Sequence, residues 1–317
     1  MSHLKAFQIK IGSKLLDYRL SRQLNLKQVQ LFFKKNYSVN KLWVGGRHIL
    51  GLLEKNNQSL FLKLSTTEGI SALTKNEYLW NEQFNKLIPR NLSKFWVPEN
   101  KDCGIYKENL FYLITDNLNG QLLTNTPTKS KSSSILLKNI NLIIEFSESI
   151  KKLKLVNLSI EENSNFKDSF LEKTNSWYNT IPENIRLQYK INDLLKLVTN
   201  NIPNLQSKPR HGDFTPWHLM ELKNGQLGLI DGEHAKKNSV EYYDIGYFIQ
   251  RVFTILQNST LSIRILNQLI KRGYDLEKLR VILAARAIGG FVDESLRPNP
   301  NYEINNNFKS WIINNLS

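Results

Sequence analysis

Two acidic turns on either side of an apolar run constrain the fold more than any other feature of this sequence. The first turn lies in PRHGDFTPWHLM at residues 209–220, and the second follows the run LGLI and reads DGEH at residues 231–234. Pro and Gly around Asp213 are typical of a turn, whereas LGLI is typical of a short buried strand. The interval of 18 residues from Asp213 to Asp231 leaves room for a hairpin that returns the second carboxylate to the first. The sequence therefore predicts that both carboxylates belong to one site.

The length and composition are those of a globular protein. The 317 residues are 41% hydrophobic and 10% aromatic, and this is enough for a sizeable core that we expect to be divided between two lobes. No apolar run approaches the ~20 residues of a membrane-spanning helix. The first residues, MSHLKAFQIKIGSK, lack the apolar stretch of a signal peptide, so we expect a soluble cytoplasmic protein. The single Cys103 excludes a disulfide within the chain and a zinc site built from several cysteines.

Positive charge is concentrated in the first 60 residues. They contain eleven Lys or Arg residues and two acidic residues, which gives +9 out of a formal charge of +15 for the whole chain. Such a segment could bind an anionic partner, for example a nucleic acid or a membrane surface. The alternative is a solvated face that keeps the protein soluble.

The first third of the sequence predicts a short helix followed by a small antiparallel sheet. Apolar residues recur at helical spacing in LNLKQVQLFFKK. The runs KLWV, HILGLLEK and QSLFLKLS are separated by Gly45-Gly46 and Asn56-Asn57, which are turn signals. These runs predict three consecutive antiparallel strands, and NLFYLITDNL predicts a further strand.

Two charged residues of this region lie on apolar faces. Lys63 lies inside the strand QSLFLKLS, where burying a charge without a partner is costly. Glu77 occupies the vacant step in the helical repeat of Ile70, Leu73 and Trp80, so its carboxylate points to the buried side of that helix. Glu77 is therefore the predicted partner of Lys63. The alternative is a lysine on a half-exposed strand and a solvated glutamate.

The rest of the sequence predicts a mainly helical region. The polar stretch TPTKSKSSS at residues 126–134 predicts a linker, and apolar residues at helical spacing then indicate one long helix between Leu136 and Leu153. Further helices are predicted around SFLEKTNSWY and INDLLKLVTNN, and from Asp244, as an N-cap residue, to the C-terminus.

Three segments together resemble a known family. HGDFTPWHLM, LGLIDGEHA and YYDIGYF are similar to the catalytic core of the aminoglycoside phosphotransferase and choline kinase-like family, which has the protein-kinase-like fold. The resemblance implies an α+β protein with two lobes: a small N-terminal lobe with an antiparallel sheet and one helix, and a larger, mainly helical C-terminal lobe. The lobes would be residues 1–118, which include a basic helical extension, and residues 119–317. The implied activity is transfer of the γ-phosphoryl group of ATP to a hydroxyl group of a small molecule.

The resemblance implies roles for four residues of the C-terminal lobe. Asp213 would orient the acceptor hydroxyl and receive its proton, and His211 would orient the loop that carries Asp213. Asp231 would hold Mg²⁺ against the β- and γ-phosphates. Asp244 would brace the catalytic loop.

The resemblance also implies that the N-terminal lobe binds the nucleotide. Lys63 would contact the α- and β-phosphates, Glu77 would hold Lys63 in place, and residues 115–118 would receive the adenine edge through their backbone. The implied nucleotide-binding residues are Gly45, Gly46, Lys63, Glu77, Thr115, Asp116 and Leu118. The two glycines could bring backbone amides to the phosphates or form an ordinary hairpin turn, because no complete G-x-G-x-x-G is present.

His218 departs from the family pattern. The family usually has Asn five residues after the catalytic Asp, whereas this chain has His218. An imidazole suits Mn²⁺ or Zn²⁺ better than Mg²⁺. Four interpretations stay open: His218 binds the metal and favours Mn²⁺, it reaches the metal through a water, it marks a nucleotide-binding pseudokinase that no longer transfers phosphate, or it only packs beside Trp217.

The sequence leaves the acceptor open. Cationic aminoglycosides favour acidic pockets, and the basicity of the chain argues against them. Five acidic residues could nevertheless form a local acidic pocket in the helical region: Glu161, Glu162, Asp168, Asp293 and Glu294. The interpretation from outside the enzyme class is a module that binds nucleic acid or a membrane surface through residues 1–60.

Overall fold

The computed structural model describes residues 8–11, 14–107, 109–124, 134–156, 158–159 and 165–315. Most of the predicted linker at 126–134 lies outside these residues, as do Glu161, Glu162 and the first seven residues of the basic segment. A region built around an antiparallel sheet precedes a mainly helical region. The structure therefore has the predicted α+β class. The predicted lobe boundary after residue 118 stays a prediction.

The described residues form thirteen strands, and the largest sheet has the order β3-β4-β5-β8-β7 with antiparallel neighbours. The strands are β1 (Gln8–Ile11), β2 (Lys14–Asp17), β3 (Ser38–Gly45), β4 (His48–Lys55), β5 (Gln58–Ser65), β6 (Phe95–Trp96), β7 (Asn100–Tyr106), β8 (Leu110–Asp116), β9 (Gly120–Leu122), β10 (Ser207–Arg210), β11 (Leu219–Leu222), β12 (Leu227–Leu229) and β13 (Lys236–Val240). A second sheet has the order β6-β12-β11-β9, and β1 pairs with β2 and β10 with β13. The four predicted strands of the first sheet are confirmed as β3, β4, β5 and β8, and β11 and β12 form the predicted hairpin.

Eleven α-helices lie within the described ranges. They are α1 (Leu26–Phe33), α2 (Glu68–Leu87), α3 (Ser134–Lys138), α4 (Ile140–Lys151), α5 (Phe166–Thr180), α6 (Glu183–Gln188), α7 (Asn192–Asn201), α8 (Tyr243–Thr254), α9 (Ser259–Lys271), α10 (Leu276–Ser295) and α11 (Glu303–Asn315). Helix α10 is buried on all sides over most of its length and packs against α5, α7, α8 and α11. A helix that is apolar all round is stable only inside a core. None of the described helices combines the length and apolar character that a membrane crossing requires.

Strand β5 shows how the sheet separates its core from the site. Leu60, Leu62 and Leu64 are at most 3% exposed and pack with residues of β4 and α1. Phe61 and Lys63 alternate with them. Because successive side chains of a strand point to opposite faces, the leucines hold the register that directs Lys63 to the other face. A shift of one residue would exchange the two faces.

The predicted long helix between Leu136 and Leu153 is wrong. The chain forms α3 and α4, which are separated at Asn139, and Leu153 lies beyond the end of α4. The side-chain amide of Asn139 donates to the carbonyl oxygen of Ile135 at 2.9 Å and to Glu221 at 3.2 Å. An asparagine side chain that bonds to the backbone competes with regular helix geometry, and the chain leaves that geometry at Asn139 although its N–H still donates to Ile135 at 3.2 Å and its carbonyl oxygen accepts from Ile143 at 2.9 Å.

The prediction of Asp244 as an N-cap residue is also wrong. The residue before α8 is Tyr242, with φ of 63° and no capping bond from its side chain. Asp244 lies inside the first turn, and its carboxylate accepts hydrogen bonds from the backbone N–H groups of His211 at 2.8 Å and Gly212 at 2.9 Å. The carboxylate therefore holds a loop that is distant in sequence instead of the start of its own helix.

Two buried histidines of this fold are neutral. Burial, together with the nearby Lys63, lowers the pKa of His48 to about 3, and His48 lies 3.0 Å from the hydroxyl of Thr74. Burial, together with the nearby His218, lowers the pKa of His211 to about 3. A histidine whose pKa is 6.5 when unfolded and about 3 when folded stabilises the fold above pH 6.5. This contribution is lost as the pH falls from 6.5 towards 3.

We expect the substitution His48→Gln to weaken the pH dependence of stability. Each neutral buried histidine costs about 1.4 kcal/mol when the pH falls from about 7.5 to about 5.5, because the unfolded chain takes up the proton first. Glutamine keeps a polar group for Thr74 and does not titrate. Urea unfolding at the two pH values measures how much the free energy of unfolding falls between them. This fall should be about 1.4 kcal/mol smaller in the variant than in the native protein. Equal losses would mean that His48 is protonated as readily in the folded protein as in the unfolded chain.

Candidate functional site

Lys63 lies among three carboxylates. Its Nζ atom is 2.5 Å from Oε2 of Glu77 and 3.3 Å from Oε2 of Glu233, and it donates a further hydrogen bond to Asp231. Glu77 comes from α2, whereas Asp231 and Glu233 lie in the turn that follows β12. The sheet, α2 and this turn therefore meet at one ammonium group, and the predicted contact between Lys63 and Glu77 is present.

Asn76, next to Glu77 on α2, joins the helix to the turn after β12. Its side-chain amide donates to the carbonyl oxygens of Glu233 at 3.2 Å and Ala235 at 3.0 Å. Asn76 is fully buried, and buried amides need hydrogen-bond partners. These bonds fix α2 against the turn and so fix Glu77 relative to Asp231.

Burial and the shared cation shift the pKa values of this cluster in different directions. Burial raises the pKa of Glu77, and Asp231 and Glu233 add to this against the attraction of Lys63. Burial acts in the same direction on Asp231, but Lys63 and His218 outweigh it and hold the pKa of Asp231 well below its usual range. Burial opposes the charge of Lys63, yet the three carboxylates raise its pKa. Lys63 and Asp231 are therefore both charged at neutral pH.

Glu233 and Arg47 are site residues that sequence reasoning missed. The carboxylate of Glu233 is 1% exposed and forms a salt bridge of 2.7 Å with Nη2 of Arg47. Arg47 follows Gly46, which has φ of 61°, in the tight turn between β3 and β4. The available signals were an acidic residue two positions after Asp231 and an arginine directly after the Gly-Gly turn. Neither residue lies in an apolar repeat, so nothing in the pattern marked it as buried.

The loop after β10 carries Asp213 on a fixed backbone. A Cβ atom at Gly212, which has φ of 88°, would lie 2.3 Å from the carbonyl oxygen of His234. His211 is fully buried, its Nδ1 accepts from the N–H of Asp213 at 3.4 Å, and its ring packs edge-on against Trp80. With the two bonds from Asp244, these contacts hold the loop, while the side chain of Asp213 keeps 21% of its surface exposed.

His218 lies between the two predicted acidic residues. Its Nδ1 donates to the carbonyl oxygen of Asp213 at 3.0 Å, and its Nε2 is 3.4 Å from Oδ2 of Asp231. Burial lowers the pKa of His218, but Asp213 and Asp231 outweigh it and raise the pKa above its usual value. The ring also lies 6.3 Å from that of Trp217. The polar contacts of His218 thus go beyond packing against Trp217.

Two sets of side chains bring metal-ligating atoms together. Such atoms of Asp213, His218 and Asp231 all lie within 4.8 Å of one another, and so do those of Glu77, Asp231 and Glu233. Asp231 belongs to both sets. The second set contains only carboxylates, which are the ligands that Mg²⁺ prefers, whereas the first contains an imidazole.

A cavity of about 470 Å³ is bordered by the large sheet and by the turn after β12. Its wall contains all of the predicted nucleotide-binding residues and the two predicted metal ligands: Gly45, Gly46, Lys63, Glu77, Thr115, Asp116, Leu118, His218 and Asp231. Its apolar wall is formed by Leu50, Phe61, Leu113, Leu122, Met220 and Ile230. The volume is within the range of small-molecule sites, about 300–1,000 Å³.

Three of the predicted nucleotide-binding residues have structural roles of their own. The carboxylate of Asp116 pairs with Arg90 at 2.5 Å and accepts from the N–H of Glu99 at 2.6 Å, and its backbone N–H donates to the carbonyl oxygen of Glu99 at 3.0 Å. Gly45 and Gly46 both border the cavity and form the end of the β3–β4 hairpin. Both interpretations of this glycine pair therefore stay open.

A second cavity, of about 380 Å³, has Asp213 in its wall, and Arg47 lines both cavities. Asp231 borders the first cavity and Asp213 the second. Because His218 contacts both of these residues, the two predicted acidic residues meet where the cavities adjoin. The arrangement has room for one molecule on each side of the pair.

Sequence comparisons find no relative, but comparisons of structure do. No protein-family model matches the chain, and no curated protein matches it in sequence. Aminoglycoside phosphotransferase APH(4)-Ia is 15% identical with a TM-score of 0.66, over 91% of this chain and 98% of that one. Choline kinase LicA from Streptococcus pneumoniae is 14% identical with a TM-score of 0.54, over 92% of this chain and 98% of that one.

A further similar structure is a complex. It is the ternary complex of a thermostable mutant of APH(4)-Ia with ADP and hygromycin B, which is 13% identical with a TM-score of 0.66, over 90% of this chain and 97% of that one. The chain thus shares the fold of these phosphotransferases nearly from end to end. The predicted kinase-like fold is confirmed.

The loop geometry predicts that Gly212→Ala destabilises the protein strongly. Alanine would combine a left-handed backbone with a clash against the backbone oxygen of His234, and we expect a loss of about 3 kcal/mol or more in the free energy of unfolding. Gly225→Ala is the matched control, because Gly225 has φ of 73° but an added Cβ meets nothing within 4 Å. It should cost about 1 kcal/mol. Urea denaturation measures both, and equal losses would show that the loop accommodates a side chain at position 212.

Proposed function

We propose that this protein is an ATP-dependent phosphotransferase that transfers the γ-phosphoryl group to a hydroxyl group of a small molecule. The observation that carries the proposal is the convergence of Asp213, His218 and Asp231, whose polar atoms lie within 4.8 Å of one another, at the boundary between two cavities. The structural relatives support it, since they include phosphotransferases and a complex with ADP and hygromycin B.

The cavity of about 470 Å³ would bind ATP. Its apolar walls suit the flat adenine ring, and the backbone of residues 115–118 would bind the edge of the base. Lys63 would bind the α- and β-phosphates, because it is a buried ammonium that faces this cavity. Glu77 would hold Lys63 through their contact of 2.5 Å. In this proposal residues 1–118 form the nucleotide-binding lobe and residues 119–317 the acceptor-binding lobe.

Asp213 would act on the acceptor in the second cavity. Phosphoryl transfer depends mainly on positioning and charge neutralisation. The carboxylate of Asp213 would accept the proton of the acceptor hydroxyl. At the same time the oxygen of that hydroxyl would bond to the γ-phosphorus, and the bond between the γ-phosphorus and the β–γ bridging oxygen would break. The bonding electrons then remain on ADP. His211 and Asp244 would keep the loop in the position that this step requires, through the contacts they make with its backbone.

The residues around Asp231 fit a divalent cation. The acidic side chains of Glu77, Asp231 and Glu233 converge on Lys63, and Arg47, in the turn between β3 and β4, pairs with Glu233. Asp231 belongs to both candidate ligand sets, so Asp231 would hold the ion, with His218 or Glu233 as a further ligand. A bound Mg²⁺ or Mn²⁺ would neutralise charge on the β- and γ-phosphates.

A nucleotide-binding pseudokinase is the second candidate, and one observation favours it. The pKa of His218 is raised by Asp213 and Asp231 against the effect of burial, and a protonated imidazole cannot ligate a metal. His218 would then hold the two carboxylates by charge in the place of a metal ligand. Assays of transfer with the native protein separate the two candidates.

Asp213 and Asp231 should differ in what their loss abolishes. Asp213→Asn keeps the shape but cannot accept a proton, so transfer from γ-labelled ATP to a mixture of soluble metabolites should fall by about 100-fold or more. Asp231→Ala should instead weaken metal-dependent ATP binding, because it removes the carboxylate proposed to hold the ion. Single-turnover transfer and calorimetry with ATP measure the two effects. Unchanged transfer in Asp213→Asn would remove Asp213 from the mechanism, and unchanged ATP affinity in Asp231→Ala would remove Asp231.

The role of His218 can be tested through the choice of metal. If Nε2 of His218 ligates the ion, it must lose its proton first, so turnover should fall as the pH drops into the range where the imidazole is protonated. His218→Asn should remove this acidic limb and shift the preference from Mn²⁺ towards Mg²⁺, because an amide oxygen suits the harder ion.

The other interpretations of His218 give different results in the same assay. A pseudokinase shows no turnover with either metal in the native protein and gains activity in His218→Asn. A packing residue leaves both the pH profile and the metal preference unchanged, and that result would exclude His218 as a ligand.

A further inference from the structure

The second cavity is lined mainly by cationic and aromatic side chains. Its volume is about 380 Å³, and its walls draw on the segment after β2, the β3–β4 turn, α5, the loop after β10, α8 and α10. The cationic residues in its wall are Arg19, Arg47, Lys173, Arg210, Arg251 and Arg286, and the aromatic residues are Tyr18, Trp177, Tyr243 and Tyr247. The acidic residues in its wall are Asp213 and Asp293. Cations therefore outnumber acids by six to two in this wall.

Two of the arginines have acidic partners. Arg251 pairs with Asp293 at 2.8 Å, and Arg47 pairs with Glu233 at 2.7 Å. These pairs balance charge within the protein. Arg210 and Arg286 line the same wall and form no salt bridge with a described carboxylate, so they are the candidates for recognising a ligand's charge.

Arg286 is a buried cation that is held by aromatic rings. The residue is 4% exposed, and its guanidinium carbon lies 3.7 Å from the ring centre of Tyr247 and 5.0 Å from that of Trp177. Nη1 donates to the hydroxyl of Tyr243 at 3.2 Å, while Nε has no hydrogen-bond partner among the described residues. No described carboxylate forms a salt bridge with Arg286. Cation–π contacts fix the position of a guanidinium but do not neutralise its charge.

Arg210 lies in the same wall with similar surroundings. Its guanidinium carbon is 3.8 Å from the ring centre of Tyr243, and its Nε also has no hydrogen-bond partner in the described part of the chain. The nearby carboxylate of Asp244 is bound by the backbone N–H groups of His211 and Gly212 and forms no salt bridge with Arg210. Arg210 and Arg286 therefore both lie over the ring of Tyr243, and neither forms a salt bridge with a described carboxylate.

The three described residues of the acidic pocket considered from the sequence do not form such a pocket around this cavity. Of the candidate residues within the described ranges, Asp293 lines the cavity but is paired with Arg251. Asp168 is exposed on α5, and Glu294 pairs with Arg297 at 3.1 Å and accepts from the N–H of Asn301 at 2.6 Å. A polycationic acceptor would meet like charge in this wall, and like charges in contact cost affinity.

We propose that this cavity holds the acceptor and that the acceptor carries an oxyanion, a carboxylate or a phosphate monoester, which Arg210 and Arg286 bind while its hydroxyl group faces Asp213. The inference rests on the proposed function and names its substrate class. Planar guanidinium groups bind carboxylates and phosphates through paired hydrogen bonds, and both arginines line the cavity without a salt bridge to a described carboxylate. The reaction is the one given above: the proton of the hydroxyl goes to Asp213, the oxygen bonds to the γ-phosphorus, and ADP leaves with the electrons of the broken bond.

Direct binding tests the charge of the acceptor without phosphoryl transfer. Glucose 6-phosphate, gluconate, glucose and glucosamine share six carbons and several hydroxyl groups but carry two negative charges, one, none and one positive charge. Calorimetry with the full chain should give an affinity for the two anions that is at least about tenfold tighter than for glucose, with glucosamine weakest. A neutral or cationic sugar that binds as tightly as the anions would overturn the proposal. Failure of both anions to bind at about 10 mM, the range of very weak complexes, would also overturn it.

Substitutions test whether the two arginines cause the discrimination. Arg210→Met and Arg286→Met should each reduce the affinity ratio of glucose 6-phosphate to glucose by about tenfold, whereas Arg264→Met, on the exposed face of α9, should leave it unchanged. Arg286→Lys keeps the charge of the buried position if Arg286→Met fails to fold, and it should retain part of the preference. An unchanged ratio in folded Arg210→Met and Arg286→Lys or Arg286→Met would contradict the assignment.

A parallel transfer assay separates this inference from the proposed function. A mixture of soluble metabolites is divided by ion exchange into anionic, neutral and cationic fractions before γ-labelled ATP and the protein are added. Acceptor activity in the anionic fraction supports both proposals. Acceptor activity in only the neutral or cationic fraction supports the phosphotransferase and overturns the anionic acceptor. Preferential binding of anions without transfer in any fraction supports the anionic site and counts against the phosphotransferase.

Discussion

The ammonium group of Lys63 is the point on which the architecture of the site depends. A buried charge is stable only with partners, and its partners come from α2 and from the turn after β12, through Glu77, Asp231 and Glu233. Removing one of these side chains leaves buried charges without a partner. The loss of stability is then larger than the stability that the ion pair itself contributes. The sheet, the helix and the turn are therefore held in one relative position, and Asn76 reinforces it with two hydrogen bonds.

Local periodicity explains which parts of this site could be predicted from the sequence. Glu77 was predicted because it interrupts a helical apolar repeat, and Lys63 because it interrupts an apolar strand. Glu233 and Arg47 lie in turns, where burial of a side chain depends on contacts between distant segments and leaves no periodic signal. The same limit explains why periodicity alone suggested a helix cap at Asp244, whereas the family resemblance implied the contact with the loop that its carboxylate makes at Gly212.

The charge of the second cavity could not be predicted for a related reason. The sequence has several acidic residues in the helical region, and their number alone allowed an acidic pocket as well as a basic one. Glu294 pairs with Arg297, whereas Arg210 and Arg286, which are 76 positions apart, both lie over the ring of Tyr243. Only the packing of α8, α10 and the loop after β10 decides which charges face the same space.

Five described cations of the basic N-terminal region make contacts in different places. Arg47 is paired with Glu233 inside the site, and Arg19 lines the second cavity. Lys14 pairs with Glu68 at 2.7 Å, while Lys41 and Lys55 lie over the rings of Trp43 and Tyr37. A surface for nucleic acid or a membrane needs many cations on one face so that their fields add. These five cations have different contacts, and Arg19 and Arg47 line the second cavity, so part of the basicity of this segment lies inside the site.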